Sequence, residues 1–312
     1  MRCRTYIHRS FYGAILIFLI YFIFFRRRST RVFLTEAHIN QFTRQTLTNS
    51  TSHRRIPRII HQTWKIRQVP ERWNRTVESV RQYNARQFEY RLWTDEDIHQ
   101  FVHQEEPYLY EHTFLKYPFD IQRIDAFRYI VLHRLGGIYI DMDNGCYQSF
   151  ESLLNTLEAL DSQSMHLAAF PRTAPVGISN GFMISTKNHP LFRMLISHLS
   201  IFNHNYLIGY LTVMMTAGPT YLSINEFYFD TTSESAAIRI LDEIVYSSIY
   251  TWHTPGNSWH GQDARVILYF YHRIRKYSSS KWFYLLSIFA FLILIISYRC
   301  CCRRRKRNQE LS

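Results

Sequence analysis

Two carboxylates two residues apart, Asp141 and Asp143, stand where a protein could bind a cation. They follow Ile138, Tyr139 and Ile140, a short β-rich segment typical of a buried strand. Side chains alternate across a strand, so both carboxylates are expected on the same side of its carboxyl end. Ligands of open α/β sheets bind just outside such ends, and paired carboxylates there suit a hard divalent cation that bridges phosphate oxygens.

A predicted helix precedes this strand and carries a second charged pair, Asp125 and Arg128. Apolar residues recur at helical spacing between residues 123 and 135, so one face of the helix is expected to pack on a sheet. Gly136 and Gly137 then end the helix, where a left-handed cap favours glycine. Arg128 could hold carboxylate or phosphate oxygens with its rigid fork, or it could form a structural salt bridge with Asp125 one helical turn away.

A different use is expected for the acidic residues Asp95, Glu96 and Asp97. The segment before them, residues 88–93, has apolar side chains at alternate positions and predicts a strand. Thr94 followed three residues later by Asp97 resembles the capping box of a helix, where acidic side chains suit the amino-terminal end. This cluster therefore predicts the start of a helix rather than a metal site.

Strands and helices alternate along the rest of the sequence. Further strands are predicted at residues 59–60, 166–170 and 181–184, and a further helix at residues 190–202. This alternation implies an α/β fold with a mainly parallel sheet and helices on both of its faces. The fingerprints G-x-G-x-x-G and G-x-x-x-x-G-K are missing from the sequence, so neither a Rossmann oxidoreductase nor a P-loop kinase is supported.

The excess of positive charge, +13 from 37 basic and 24 acidic residues, lies largely beside two apolar runs. Arginines at 26–28 follow the run 11–25, and a basic cluster at 299–307 follows the run 282–298. Such clusters are typical of membrane-interface anchors, so we do not expect nucleic acid as a partner. The first run predicts an uncleaved signal anchor, with a cleaved signal peptide as the alternative, and the second predicts a membrane-spanning helix.

These features divide the chain into six predicted segments. They are a cytosolic amino terminus (1–10), the signal anchor (11–25), a stem (26–54), the main domain (55–280), the second transmembrane helix (281–298) and a basic cytosolic tail (299–312). Both termini would face the cytosol by the positive-inside rule, although the arginines after the first run oppose this orientation. The glycosylation sequons at Asn49 and Asn74 would suit a lumenal domain.

Several motifs together resemble a known family. The segments IPRIIHQTW, LWTDED, DAFR, GGIYIDMDNG and NSWHGQD resemble the DXD glycosyltransferases that include yeast-type mannosyltransferases. Within them, APVGISNGFMISTKNHPLF and TAGPTYLS most resemble the inositol phosphorylceramide mannosyltransferases, and the match covers residues 55 to 263. The resemblance implies a GT-A-like fold with one nucleotide-sugar-binding domain, a GDP-mannose donor, manganese, and retaining transfer to a membrane glycolipid.

The resemblance also implies roles for individual residues. Asp141 and Asp143 would hold the metal, and His260 of the late S-W-H-G motif would complete its shell or contact the diphosphate. A structural histidine without a ligand is the alternative for His260. Asp141 would also contact the donor, while Asp125 and Arg128 would orient the donor sugar.

Three further positions are interpreted through the same resemblance. Trp64 of the HQTW motif would stack on the donor base, with a core tryptophan as the alternative. Asn180 would contact the sugar or the acceptor, whereas Gly181 stands where many relatives are expected to carry an acid. The Gly218-Pro219 pair resembles the family's Gly-Pro loop and is interpreted as shaping the backbone.

The predicted function is an integral-membrane mannosyltransferase of the Golgi or another early secretory membrane, with a lumenal catalytic domain. It would transfer mannose from GDP-mannose to inositol phosphorylceramide with retention, by attack and departure on one face, since no carboxylate is an obvious nucleophile. One alternative is the same chemistry on a protein N-glycan or another glycolipid. Another is a catalytically inert subunit that anchors or regulates an active relative. A regulatory membrane subunit is also expected as a partner.

Overall fold

The computed structural model describes residues 32–46, 54–173, 177–206, 208–232, 235–254, 256 and 265. The predicted signal anchor, second transmembrane helix and basic tail lie outside these residues, as do stem residues 26–31 and 47–53, with Asn49, and His260. No helix in the described ranges is long and apolar enough to cross a bilayer. Contacts divide the chain into residues 1–259 and 260–312, and the fold belongs to the first unit.

A seven-stranded sheet and a two-stranded ribbon form the β-structure of the described residues. The strands are β1 (Phe33–Leu34), β2 (Ile59–Thr63), β3 (Glu89–Trp93), β4 (Gly137–Ile140), β5 (Asn144–Cys146), β6 (His166–Pro171), β7 (Phe182–Ser185), β8 (Ala236–Leu241) and β9 (Thr251–His253). The sheet has the order β1-β8-β6-β7-β4-β2-β3, and β5 pairs with β9 in the ribbon. Within the described sheet only β7 runs antiparallel to its neighbours, which confirms the predicted α/β class with a mainly parallel sheet and fits a GT-A-like domain.

Helices follow most of these strands. They are α1 (Glu36–Thr46), α2 (Glu71–Asn84), α3 (Asp95–Glu105), α4 (Pro107–His112), α5 (Asp120–Leu135), α6 (Glu151–Leu160), α7 (Pro190–Phe202), α8 (Gly209–Thr216) and α9 (Pro219–Tyr228). A 3₁₀ turn lies at Phe114–Lys116 and a π turn at Val245–Tyr250. Pro219 occupies the first turn of α9, so the Gly218-Pro219 pair starts a helix.

Two apolar cores cover the two faces of the sheet, as the alternation predicts. Tyr139 of β4 packs in one core with residues of α3, α5, α7 and α9. Its neighbours Ile138 and Ile140 pack in the other core with residues of α1, α2 and α6. Because successive strand residues point to opposite faces, β4 is buried on both sides and its carboxyl end is held firmly in the middle of the domain.

The capping box predicted at Thr94 is confirmed. The Thr94 hydroxyl accepts from the Asp97 amide at 3.2 Å, and the Thr94 amide donates to the Asp97 carboxylate at 2.8 Å. Helix α3 therefore begins at Asp95, and the acidic cluster starts a helix as predicted.

Some elements differ in length from their prediction. Strand β2 extends to Thr63, beyond the predicted 59–60, because each of its residues pairs with β3. Helix α5 begins at Asp120, three residues before the predicted start at 123. Gly136 and Gly137 have φ angles of 68° and 98°, which confirms the glycine break, but Gly137 already belongs to β4.

Candidate active site

Asp141 and Asp143 lie just beyond the carboxyl end of β4. This strand lies between β2 and β7, and the Asp141 amide donates to the Gly181 carbonyl at 2.8 Å. The side chains of Asp141 and Asp143 are 29% and 21% exposed, so each can contact both protein atoms and a ligand. The predicted position at a strand end is confirmed, while the metal role stays a prediction.

Arg128 of α5 lies between two carboxylates. Its Nη1 is 3.2 Å from Asp125 Oδ1, and its Nη2 is 2.9 Å from Asp141 Oδ1. Nη1 also donates to the Asn180 carbonyl at 3.0 Å, and Asn180 Nδ2 donates to Asp125 Oδ1 at 2.9 Å. These four residues therefore form one connected cluster, in which the salt bridge to Asp125 coexists with a contact to the strand end.

Burial controls the protonation of this cluster. It raises the pKa of Asp125 to about 7, with Arg128 opposing the shift and Asp141 adding to it. Burial also raises the pKa of Asp141, against the opposing effect of Arg128. Burial alone would lower the pKa of Arg128, but Asp141 and other neighbours raise it overall. The buried Asp125 and the partly buried Asp141 thus depend on Arg128, or on a bound cation, for charge compensation.

The HQT motif reaches the same strand end, a contact that was not predicted from the sequence. The Thr63 hydroxyl lies 3.0 Å from the Tyr139 hydroxyl, which donates to Asp141 Oδ1 at 3.0 Å. Gln62 Nε2 donates to the Asp141 carbonyl at 3.3 Å. The parallel register of β2 with β4 brings these residues together. Polar residues at the end of a buried strand are the signal that could have revealed them.

Asp143 is held by the ribbon of β5 and β9. His253 Nε2 lies 3.2 Å from Asp143 Oδ2, and the Asn144 side chain donates to Asp143 Oδ1 at 3.1 Å. The hydrogen bond to Asp143 raises the pKa of His253, with burial opposing it. His253 is therefore a site residue missed by the sequence reasoning, because the pairing of Asn144 with His253 joins distant parts of the chain.

The donor set fits a hard divalent cation. Asp125 and Asp141 share one guanidinium, that of Arg128, and Asp143 pairs with His253, so three carboxyl groups collect at the strand end. Carboxylate oxygens are the ligands that manganese and similar cations prefer. Within the described residues, no group of three His, Cys, Asp or Glu side chains is arranged to hold a metal, and His260 lies outside them.

Trp64 lies at the edge of a small apolar cluster beside the DXD motif. Trp73, Val77 and Met142 form the centre of this cluster, and the partly buried Trp64 packs against it. The guanidinium of Arg72 lies 4.7 Å from the Trp73 ring and 5.9 Å from the Trp64 ring. Trp64 thus has core contacts and an exposed part, and its stacking on a donor base stays a prediction.

The sequon at Asn74 lies in α2 with its threonine turned inwards. The Thr76 hydroxyl is buried and hydrogen-bonds to the Met142 carbonyl at 2.6 Å and the Trp73 carbonyl at 2.8 Å. Thr76 therefore supports the middle of the DXD motif, while Asn74 is exposed.

Gly181 lies directly against Asp141. A Cβ at this position would be 2.7 Å from Asp141 Oδ2, closer than two nonbonded atoms approach. The Asp141 carboxylate occupies the space that a side chain at position 181 would take, so a larger residue here would require that carboxylate to move. Gly181 thus lies beside Asp141 of the DXD motif and next to Asn180.

Comparisons with known proteins agree with this geometry. The family model described as "Glycosyltransferase sugar-binding region containing DXD motif" matches residues 70–160, which include the charged cluster of α5 and the DXD motif. Inositol phosphoceramide mannosyltransferase 1 of Schizosaccharomyces pombe is 35% identical over 247 residues, covering 78% of this chain and 73% of that protein.

Two further relatives align over most of this chain but over less of their own length. Inositol phosphoceramide mannosyltransferase 2 of Schizosaccharomyces pombe is 39% identical, covering 69% of this chain and 61% of that protein. Mannosyl phosphorylinositol ceramide synthase CSH1 of Saccharomyces cerevisiae is 36% identical, covering 68% of this chain and 55% of that protein. The resemblance seen in the motifs is confirmed, and the chain belongs to the inositol phosphoceramide mannosyltransferases, a family of DXD-containing glycosyltransferases.

Proposed function

We propose that this glycosyltransferase transfers mannose from GDP-mannose to the head group of inositol phosphoceramide. The observation that carries the proposal is the cluster of Asp125, Arg128, Asn180 and Asp141 at the end of β4. The choice of acceptor is supported by the relatives, whose names state this acceptor or its mannosylated product. An intact charged cluster also argues against an inert subunit, which has no physical need for it.

Each residue of the cluster has a proposed task. Asp125 would accept hydrogen bonds from mannose hydroxyls, and Arg128 would orient the donor beside Asp141. Asn180 holds the Asp125 carboxylate and lies next to Gly181, where the sugar or acceptor would approach. Trp64 would stack on the guanine base.

The cation, for which we propose manganese, would be held by Asp141, Asp143 and His260. When bound it would neutralise the charge that develops on the leaving diphosphate. The protein's own part is to keep the two aspartates in place, through Arg128 and Tyr139 for Asp141 and through His253 for Asp143.

Retention of configuration is part of the proposal. All three carboxylates of the described site already have a cationic or imidazole partner, since Asp125 and Asp141 pair with Arg128 and Asp143 pairs with His253. None is a free nucleophile for a covalent intermediate. Attack and departure on one face of the sugar is therefore the mechanism that we propose.

We also propose a membrane location and an orientation for the protein. The apolar runs 11–25 and 281–298 would anchor the protein in a Golgi membrane with the catalytic domain in the lumen. A lipid acceptor requires the site to stay close to a bilayer, which supports this arrangement. A regulatory membrane subunit is a further proposed partner.

The donor is tested with purified full-length protein, inositol phosphoceramide, and GDP-mannose, UDP-galactose or UDP-glucose in turn. We expect transfer from GDP-mannose alone, supported by Mn²⁺ and abolished by a chelator. Transfer from a UDP-sugar instead would contradict the donor. Protein that neither binds nor hydrolyses any nucleotide sugar in a metal-dependent way would favour the inert subunit.

The acceptor is tested in cells that lack the gene. Their lipid extracts should be depleted in mannosylated inositol phosphoceramide, while their protein N-glycans keep their length. Unchanged mannosylated sphingolipids with shortened N-glycans would contradict the proposed acceptor.

A further inference from the structure

Arg128 uses only part of its guanidinium. Its Nη1 contacts Asp125 and Asn180 and its Nη2 contacts Asp141, whereas its buried Nε has no hydrogen-bond partner among the described residues. Nε and Nη2 together form the edge on which a guanidinium binds a carboxylate through two parallel hydrogen bonds. Asp141 therefore contacts one of the two donors on this edge, Nη2, and does not contact Nε.

Tyr139 and Arg128 hydrogen-bond to the same oxygen of Asp141. The Tyr139 hydroxyl donates to Oδ1 at 3.0 Å, and Arg128 Nη2 lies 2.9 Å from the same atom. The Tyr139 ring is fully buried, and the Arg128 guanidinium lies over it at 4.8 Å. Both the ring and the hydroxyl of Tyr139 thus restrict the arginine and the carboxylate together.

Thr63 fixes the direction of the Tyr139 hydroxyl. The two hydroxyl oxygens are 3.0 Å apart, and both side chains are buried. A carboxylate only accepts and a phenol has one proton, so Tyr139 donates to Asp141 and Thr63 donates to Tyr139. The result is a directed chain of hydrogen bonds from β2 to the DXD motif.

The other oxygen of Asp141 is left open. Its side-chain partners in the described part of the chain, Arg128 and Tyr139, both contact Oδ1, and no described residue hydrogen-bonds to Oδ2. Gly181 lies on the Oδ2 side, where a Cβ would approach to 2.7 Å. The glycine therefore keeps that side of the carboxylate clear for a ligand.

We propose that Tyr139, with its hydroxyl held by Thr63, is a positioning residue for the transfer reaction. It keeps Oδ1 on Arg128 Nη2 and prevents the carboxylate from turning onto the edge formed by Nε and Nη2, where both oxygens would be engaged. Oδ2 then stays available to the divalent cation of the proposed function, on which this inference rests.

The test compares Tyr139→Phe with Tyr221→Phe in the purified full-length protein. Tyr221 is also fully buried, and its hydroxyl donates to the Leu195 carbonyl between α9 and α7. Both variants lose one buried hydroxyl and keep the ring, so their melting temperatures should fall by similar amounts. Only Tyr139→Phe should weaken Mn²⁺ binding, measured by electron paramagnetic resonance without donor, and we expect about a tenfold rise in the dissociation constant, typical of losing a hydrogen bond to a charged group.

Kinetics and a second variant complete the test. The Mn²⁺ concentration for half-maximal transfer should rise in Tyr139→Phe, while kcat at saturating Mn²⁺ changes less. Thr63→Val should have a smaller effect of the same kind. The double variant should be no worse than Tyr139→Phe, because both act through one hydroxyl.

The outcomes separate this inference from the proposed function. Wild-type protein that binds no Mn²⁺ would overturn the proposed cation and this inference with it. If wild-type protein binds Mn²⁺ and Tyr139→Phe changes the dissociation constant by less than about twofold, the positioning role alone is overturned, because such a change corresponds to little free energy. Fully additive effects of the two substitutions would show that Thr63 does not act through Tyr139.

Discussion

Two arginines of this molecule are each buried between two carboxylates, and they differ in how completely they are paired. Arg58 precedes β2 and contacts Glu151 through Nε and Glu158 through Nη1, both at 3.0 Å. Its remaining donors reach the Ile56 carbonyl and the Asn155 side chain, both at 2.8 Å. Each nitrogen of this guanidinium therefore has a partner.

Arg128 has the opposite arrangement at the carboxyl end of the strands. Its Nε has no hydrogen-bond partner in the part of the chain that the structure describes, and the Asp141 carboxylate that its Nη2 contacts is 29% exposed. Burying charge is costly unless its partners are complete, so an incompletely paired cluster at a ligand-binding edge indicates a site that is completed by its ligand. The comparison therefore predicts that the Arg58 network stabilises the fold and that the Arg128 network serves the proposed reaction.

The largest effect is expected on the stability of the protein when the Arg58 network is disrupted. Glu158→Ala should lower the free energy of unfolding by about 3–5 kcal/mol, because it leaves the buried Arg58 without one of its carboxylates. Transfer per folded molecule should stay at the wild-type level. Denaturant unfolding and activity per folded protein measure the two quantities.

Glu158→Gln is the matched control for this prediction. The amide oxygen can still accept from the Arg55 and Ile56 amides, which the carboxylate receives at 2.6 and 2.7 Å, so a smaller loss is expected. Near-wild-type stability of Glu158→Ala, with transfer lost, would reverse the assignment of the two networks.

The second effect concerns transfer activity at the carboxyl end of β4, where Asp143 lies beside the Arg128 network. Asp143→Asn should reduce transfer about a hundred- to a thousand-fold, since it removes an anionic ligand from the proposed cation. Its stability should change little, because the carboxylate is partly exposed and pairs with a half-exposed histidine. Asp141→Asn should be similarly severe. Asp143→Asn protein that keeps more than about a tenth of wild-type transfer would contradict the metal role.

The third effect is a loss of stability in acid, carried by His61 beneath the site. This buried side chain donates through Nε2 to the Gly136 carbonyl at 2.9 Å, and its Nδ1 accepts from Trp93 at 3.1 Å. Burial lowers the pKa of His61 from 6.5 to about 4. The unfolded chain therefore takes up a proton first as the pH falls, and stability that is complete above pH 6.5 should be lost down to pH 4, by about 3 kcal/mol.

His61→Gln provides the control for this pH dependence. It should be less stable than wild type at neutral pH, but its free energy of unfolding should fall less steeply between pH 6.5 and 4. Equal slopes for the two proteins, measured by denaturant unfolding across this range, would contradict the role of His61.

The smallest effect is expected at the capping box of α3. Asp97→Asn should cost about 1 kcal/mol of stability and leave transfer unchanged, because Asp97 caps a helix and lies outside the site. Thermal unfolding and a transfer assay check both parts. A loss of transfer as large as that of Asp143→Asn would mean that the acidic cluster takes part in the reaction.

Local patterns were enough to predict the parts of the site that depend on neighbours in the sequence. The helical spacing of α5, the break at Gly136 and the capping box at Thr94 each follow from contacts within a few residues. The same patterns placed Asp141 and Asp143 at a strand end. Element boundaries were less certain, since pairing with β3 extends β2 beyond what its sequence predicts.

The family, the α/β class and the existence of an Asp125–Arg128 pair could thus be determined from the sequence by itself. Which atoms those residues contact was decided only by the tertiary structure. The pairing of β2 with β4 brings Thr63 to Tyr139, and the pairing of β5 with β9 brings His253 to Asp143. Such contacts join residues far apart in the chain, where no local propensity or periodicity acts. Only the tertiary structure therefore decides that every nitrogen of the Arg58 guanidinium has a partner, while no described residue hydrogen-bonds to Asp141 Oδ2.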